Sequence, residues 1–222
     1  MRVILFAAGS VQDGSAVTKA LAEAELIIAA DGGASTALAR GHVPAFVVGD
    51  LDSLNPRTRE ELERLGSQIV QAPVEKNETD TELAIDVALE QGASQLTLLG
   101  ALGGARFEHT IANILLLAAY PDIPIELVDG NARGWLLRGP GEARIMGKKG
   151  DLLSLFPLLA SAEGVRTENL YYPLRGETLR FGRPRGISNV LLGKEARVSL
   201  DSGLLLIVHT TVNTQLLVVG MA

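Results

Sequence analysis

From Arg2 to about Val128, short apolar runs alternate with longer stretches of helical spacing. Residues 3–7, 26–29, 46–48, 68–71, 96–99 and 125–128 predict strands. Between them, residues 15–24, 34–40, 56–65, 79–90 and 107–119, rich in Ala, Leu and Glu, predict helices. Strict alternation of this kind requires right-handed crossovers, and so a parallel sheet covered on both faces. After Gly130 the texture changes. From Trp135 to His209 the runs are short, among them Leu152-Leu-Ser-Leu-Phe, Ala196-Arg-Val-Ser-Leu and Leu204-Leu-Leu-Ile-Val, with Gly, Pro, Asn and Asp turn signals between them. No helical pattern of useful length interrupts them, which predicts a small antiparallel β domain, a sandwich. The expected fold class is therefore α/β plus β: a parallel-sheet α/β domain over residues 1–130, a boundary within 129–139, and a β-sandwich over 135–222. Residues 211–222 are apolar for a terminus and read as a final strand or an interface element, because a free tail of that composition invites aggregation.

Composition narrows the function classes. With 222 residues, 47% of them hydrophobic, the chain can bury a substantial core. Twenty basic residues against 26 acidic ones give a net charge of −6, which disfavours sequence-independent binding of nucleic acid. Basic residues interleaved with aromatic ones, as single-stranded nucleic acid requires, are lacking. The absence of cysteine excludes disulfides, thiolate catalysis and cysteine-based metal sites, and is compatible with a cytoplasmic setting. The apolar run at the N-terminus is too short for a signal sequence and continues as a first strand, and no run approaches membrane-spanning length. His42, His109 and His209 lack zinc spacing, and no G-x-S-x-G elbow precedes a helix. His42 and His209 read as ordinary surface or core residues, and Trp135, Tyr171 and Tyr172 as packing residues.

Four aspartates carry the chemistry. Asp31 follows Glu25-Leu-Ile-Ile-Ala-Ala, Asp50 and Asp52 follow Ala45-Phe-Val-Val-Gly, and Asp80 opens a helix after Gln68-Ile-Val-Gln-Ala-Pro-Val. Strand ends in an α/β chain face one crevice, and carboxylates gathered there repel one another unless a cation is present. A divalent metal carrying a polyphosphate is the simplest occupant. Singly, each has a plainer reading. Thr79-Asp80-Thr81-Glu82 is a capping box, and Asp80 in the first turn suits the helix dipole. Asp52 suits an Asx turn capping the next helix. If strand geometry persists through Asp52, however, alternation puts both Asp50 and Asp52 on one side of the chain. Asp31-Gly-Gly reads either as a plain strand-to-helix turn or as backbone approaching a phosphate or ribose, and Gly100-Ala-Leu-Gly-Gly-Ala-Arg106 and Lys76 read singly as a flexible turn and surface cations, or together as groups holding phosphate oxygens. The Gly100 turn is neither a Rossmann nor a P-loop fingerprint.

Taken in order, Ala30-Asp-Gly-Gly-Ala, Gly49-Asp-Leu-Asp-Ser, Glu75-Lys-Asn-Glu-Thr-Asp-Thr-Glu, Gly100-Ala-Leu-Gly-Gly with Arg106-Phe-Glu-His, and Gly186-Ile-Ser-Asn resemble the thiamine pyrophosphokinase family over nearly the whole chain. The resemblance implies an α/β catalytic domain, a β-sandwich that binds thiamine and dimerises, and a homodimer with active sites between subunits. It implies transfer of the terminal pyrophosphoryl group of ATP to the hydroxyethyl group of thiamine. Asp50, Asp52 and Asp80 would then hold Mg²⁺ and the polyphosphate, with Asp31 in the same cleft. Lys76, Thr79, Arg106, Glu108 and His109 would line the ATP side, and Ser188 and Asn189 would orient the aminopyrimidine. The chain departs from the family pattern in two places: Ala105 intervenes before Arg106 and Glu108 stands for an aspartate, and Val190-Leu-Leu192 follows Ser188-Asn189 where some members place a tryptophan. The carboxylate set reads ATP and not the acceptor, so it would equally serve a pyrophosphokinase acting on a hydroxymethylpterin. A noncatalytic nucleotide-binding or ligand-sensing protein is the alternative of another class.

Overall fold

Six strands of the N-terminal unit form a parallel sheet: β1 (Arg2–Phe6), β2 (Leu26–Ala30), β3 (Phe46–Gly49), β4 (Gln68–Gln71), β5 (Gln95–Leu99) and β6 (Ile125–Asp129). Their order is β6-β5-β1-β2-β3-β4. Val3 of β1 pairs in register with Leu26 on one side and Leu96 on the other, so the chain order reverses beside β1. In an open α/β sheet the crevice outside the carboxyl ends of the strands at such a reversal is where ligands bind. Residues 3–6 of β1 are all buried, the continuous apolar run expected of a strand covered on both faces. Five helices cross between the strands: α1 (Ser15–Ala22), α2 (Gly33–Ala39), α3 (Pro56–Arg64), α4 (Asp80–Glu90) and α5 (Phe107–Leu116). Asn55 caps α3 by accepting from the Arg57 N–H, with Pro56 in the first turn. Thr79 caps α4 by accepting from the Glu82 N–H at 3.2 Å. The helix expected over 107–119 tightens after Leu116 into a 3₁₀ turn, Leu117–Ala119.

The computed structural model describes residues 1–212 and divides the chain into two compact units, Met1–Gly130 and a second beginning at Asn131. The final strand or interface element expected of the tail lies outside the described residues from 213 onward. In the second unit, β7 (Ala132–Arg138), β8 (Gly141–Met146), β9 (Leu152–Pro157), β10 (Ser161–Glu168), β11 (Arg175–Arg180), β12 (Gly186–Val190), β13 (Glu195–Leu200) and β14 (Leu204–Thr210) form antiparallel sheets. One runs β12-β9-β14-β7 and the other β11-β10-β13-β8. Ile145, Leu153, Val165, Leu179, Val198, Leu205 and Ile207 from both sheets share one core, which makes the unit a sandwich. Along β13, Ala196, Val198 and Leu200 are buried while Arg197 is exposed, the period-two signature of a half-buried strand. The stretch expected as a boundary, 129–139, is mostly strand, because β7 starts at Ala132 directly after the left-handed Gly130 (φ 56°) and Asn131. Among the described residues no helix is long and apolar enough to cross a membrane.

Candidate active site

The end of β2 turns sharply at Asp31, whose φ of 43° is a left-handed conformation that aspartate tolerates better than most residues. The Asp31 N–H donates to the Val48 carbonyl at 2.9 Å, which ties the residue to the end of β3, and its own carbonyl accepts from the Ala34 N–H at 3.1 Å. Gly33 is fixed by sterics, since a Cβ there would lie 2.1 Å from the Phe6 carbonyl oxygen. At the end of β3 the backbone does not continue as a strand through Asp52. Leu51 takes φ 65° and buries its side chain in the core, and the Asp52 N–H donates back to Asp50 Oδ1 at 3.1 Å. Asp50 and Asp52 are thus brought to one side by a turn pegged at Leu51, not by strand alternation. Gly49 (φ 148°) separates the acids: a Cβ there would sit 3.1 Å from Asp80 Cγ and 3.2 Å from Asp31 Cβ.

Asp31, Asp50 and Asp52 each present a carboxylate oxygen, and these atoms lie within 4.8 Å of one another. Asp31 is 6% exposed, and its Oδ1 is buried without a hydrogen-bond partner. A buried carboxylate oxygen with no donor, facing two more carboxylates, is costly in the bare protein. All-oxygen donors in this arrangement fit Mg²⁺. Asp80 stands differently. Its Oδ1 is 2.7 Å from Lys76 Nζ, an ion pair in charge though not in hydrogen-bond alignment, and the ammonium donates to the Pro73 carbonyl at 3.2 Å. Asp80 beside it holds the Lys76 ammonium above its ordinary pKa, with Asp50 and Asp31 adding and burial opposing. Asp31, Asp50 and Asp52 are the carboxylates within shared ligand distance, whereas the family resemblance implies Asp50, Asp52 and Asp80 as the metal ligands.

These residues border a cavity of about 450 Å³, which is also lined by Thr79, Arg106, His109 and Asn113. In its lining, Ala7, Ala8 and Gly9 follow β1, and Gly100, Gly103 and Gly104, at φ 66°, 74° and 93°, follow β5. Arg106 Nε donates to Glu108 Oε1 at 2.9 Å, and that oxygen is 3.9 Å from His109 Nε2. Arg106 holds the Glu108 carboxyl below its usual range, although both side chains are largely exposed. The contributions of Ala7 to Gly9 and of Asn113 escaped the sequence reading. A glycine directly after the first apolar strand was the available signal for the former.

In the second unit Ser188 is exposed, with φ 56°, and its N–H donates to Ser154 Oγ at 3.0 Å. Asn189 is buried, and its amide is used mainly within the chain. Oδ1 accepts from the Tyr172 and Val190 N–H groups at 2.9 and 3.0 Å, and Nδ2 donates to the Tyr172 carbonyl at 2.7 Å. It clamps the Tyr171-Tyr172 turn, whose rings meet edge to face at 4.8 Å. His209 and Asp151, 4% and 1% exposed, form a buried pair at 3.1 Å, Nε2 to Oδ2. Burial pushes the His209 pKa down, Asp151 opposes and Arg133 adds to the depression. His209 is thus a core residue, while its partner Asp151 carried no signal in the sequence.

Residues 17–127 match the family model described as thiamin pyrophosphokinase, catalytic domain, and residues 142–205 match its vitamin B1 binding domain. The chain belongs to the thiamin pyrophosphokinase family. Thiamine pyrophosphokinase of Bacillus subtilis is 29% identical over 192 residues, 85% of this chain and 89% of that protein. Thiamine pyrophosphokinase 1 of Arabidopsis thaliana is 28% identical over 206 residues, 82% of this chain and 77% of that protein. The solved Bacillus subtilis enzyme superposes with a TM-score of 0.83 at 28% identity, over 95% of this chain and 99% of that one. The solved Candida albicans thiamin pyrophosphokinase, at 18% identity and a TM-score of 0.81 over 94% and 88%, shares the fold. Asp31 to Asn113 fall inside the match to the thiamin pyrophosphokinase catalytic domain, and Asp151, Ser188 and Asn189 inside the match to its vitamin B1 binding domain.

Proposed function

We propose that the chain transfers the terminal pyrophosphoryl group of ATP to the hydroxyethyl group of thiamine, giving thiamine diphosphate and AMP with Mg²⁺ as cofactor. The observation that carries this reading is the trio Asp31, Asp50 and Asp52, with its orphaned buried oxygen, beside a glycine-lined cavity at the reversal point of the sheet. These three aspartates would hold Mg²⁺, which when bound supplies charge neutralisation for the polyphosphate. Lys76, kept charged by Asp80, brings a second positive charge to the same cavity, and Arg106 a third at its mouth. The glycines let the turns after β1 and β5 meet at the cavity, since a Cβ on Gly100 would lie 2.6 Å from the Ala7 carbonyl oxygen and one on Gly103 2.9 Å from Ser10 Oγ, and backbone N–H groups of such turns suit phosphate. The alcohol oxygen bonds to the β-phosphorus as the bridge to the α-phosphorus breaks. Such a displacement requires positioning and charge balance, not a nucleophile from the protein.

For the acceptor, the Ser188 hydroxyl is available on the surface of the second unit, while Asn189 acts by holding Tyr172 beside it. An acidic cavity suits the cationic thiazolium ring. A homodimer with active sites between subunits is part of the same reading. It is supported by Phe107, Ile111 and Leu115, spaced four apart on α5 and 74%, 45% and 53% exposed, an apolar stripe unusual for a monomer surface. A cytoplasmic setting supplies the ATP.

Purified protein with ATP, Mg²⁺ and either thiamine or a hydroxymethylpterin, its products resolved by chromatography, tests the reading. Thiamine-dependent AMP supports it, and AMP formed with the pterin alone transfers the activity to another acceptor. ATP binding with no AMP from either would leave a noncatalytic binding protein.

A further inference from the structure

The turn after β5 contains three left-handed glycines, Gly100, Gly103 and Gly104. Glycine loses more conformational freedom on ordering than any other residue, so such a turn holds one shape only if its surroundings impose it. One side is imposed by the turn after β1. The Gly9 N–H donates to the Gly100 carbonyl at 2.9 Å, and a Cβ on Gly100 would lie 2.6 Å from the Ala7 carbonyl oxygen, so the two turns meet backbone to backbone. The other side is imposed by two side chains of α5. The Gly103 N–H donates to Thr110 Oγ1 at 3.1 Å, and Asn113 Nδ2 donates to the Ala101 carbonyl at 2.9 Å. Thr110 and Asn113 are three residues apart and so lie on one face of the helix.

Neither residue is chosen for helix propensity, since Thr and Asn both rank low in helix interiors. Asn113 is also 6% exposed, which a polar amide tolerates only when it is bonded. It borders the same cavity as Gly103, Gly104 and Arg106. Ala101 is 2% exposed, so without Asn113 its carbonyl would lose its partner in a nearly dry place.

We propose that Thr110 and Asn113 are positioning residues for the nucleotide, holding the glycine turn from behind in the shape that receives ATP. The inference rests on the nucleotide reading of the cavity. Both residues act on affinity for ATP by pre-ordering its cradle, and leave the acceptor alcohol untouched.

Three single variants of the full chain test it: Thr110→Val, which keeps the shape and removes the hydroxyl, Asn113→Leu, which removes the donor, and Thr110→Ser, which keeps the hydroxyl. Calorimetric titration with ATP and Mg²⁺, and KM for ATP and for thiamine, are the readouts. The expected result is a loss of ATP affinity of roughly tenfold for Thr110→Val and Asn113→Leu, the effect of one lost hydrogen bond. Thr110→Ser should stay near the parent value and KM for thiamine should not move. ATP affinity within about twofold of the parent in a folded Thr110→Val would overturn the proposal, as would equal rises in both KM values. Should Asn113→Leu fail to fold, Thr110→Val decides. A parent that binds ATP yet turns over no acceptor would remove the enzymatic reading and leave this inference standing. A parent that binds no ATP would remove both.

Discussion

Replacing Asp31 by Asn should stabilise the metal-free protein, an unusual result for a buried residue at a strand end. Asp31 and Asp50 present oxygens within 4.8 Å of each other, with Asp31 buried and Asp50 partly so. Two unit charges at that separation repel by about 3 kcal/mol at an effective dielectric of about 20. Solvent around Asp50 and the exposed Asp52 screens this to about 1 kcal/mol. Asn tolerates the left-handed backbone at φ 43° as well as Asp does, so the substitution adds no backbone strain. In a chelator the variant should therefore melt about 2–4 °C above the parent. With Mg²⁺ the order should reverse. The parent gains about 2.7 kcal/mol when Mg²⁺ stands at a hundred times its dissociation constant, and the variant, short of one ligand, gains less. Calorimetric scans of both proteins in chelator and in Mg²⁺ give the four midpoints needed. A variant that melts below the parent in chelator, and gains as much from Mg²⁺, would refute the idea that these carboxylates form a metal site.

Further outcomes follow from the same geometry. Gly49→Ala puts a methyl carbon 3.1–3.2 Å from Asp80 and Asp31 at a φ of 148°, and should cost roughly 1–3 kcal/mol in urea unfolding; an unchanged midpoint would show that the acids move aside freely. His209 has a folded-state pKa depressed below its unfolded value, so it contributes nothing above about pH 6.5, where both states are neutral. As pH falls below that value the unfolded chain takes up the proton first and stability declines, so urea midpoints of the parent should drop from pH 7.5 to pH 5.5 more steeply than those of His209→Gln, and parallel slopes would contradict this. Asn189→Leu strips the Tyr172 N–H and carbonyl of their partner, costing roughly 2–4 kcal/mol, and should speed amide exchange at Tyr172 specifically; unaltered exchange there would show that the clamp is dispensable.

The α/β unit was legible because its signals are local and repeated. Residues 3–6 form a wholly buried run, Thr79 and Pro56 sit where helix starts require them, and the alternation leaves few topologies. The sandwich was legible in class, but β7 was hidden in the expected boundary, because the change of texture after Gly130 reads as that boundary while the strand already starts at Ala132. That Asp31, Asp50, Asp52 and Asp80 would border one crevice was legible; which of them lie within shared ligand distance was not. Which aspartate meets which depends on the left-handed turns at Asp31 and Leu51, and positive φ at a non-glycine residue leaves no mark in composition or periodicity. The Asp80 partner Lys76 lies four residues upstream and was foreseen only as a cation near phosphate. Asn189 was expected to orient the aminopyrimidine only because Gly186-Ile-Ser-Asn resembles a family motif, and its engagement with Tyr172, 17 residues away, is a tertiary fact.

The central claim is that two phosphoryl groups move together. Phosphorus NMR of a reaction containing the protein, ATP, Mg²⁺ and thiamine tests it directly. AMP and thiamine diphosphate appearing in equal amounts, with no ADP at any time, is the predicted result. ADP appearing with thiamine monophosphate would contradict the account, because it would place the attack on the γ-phosphorus.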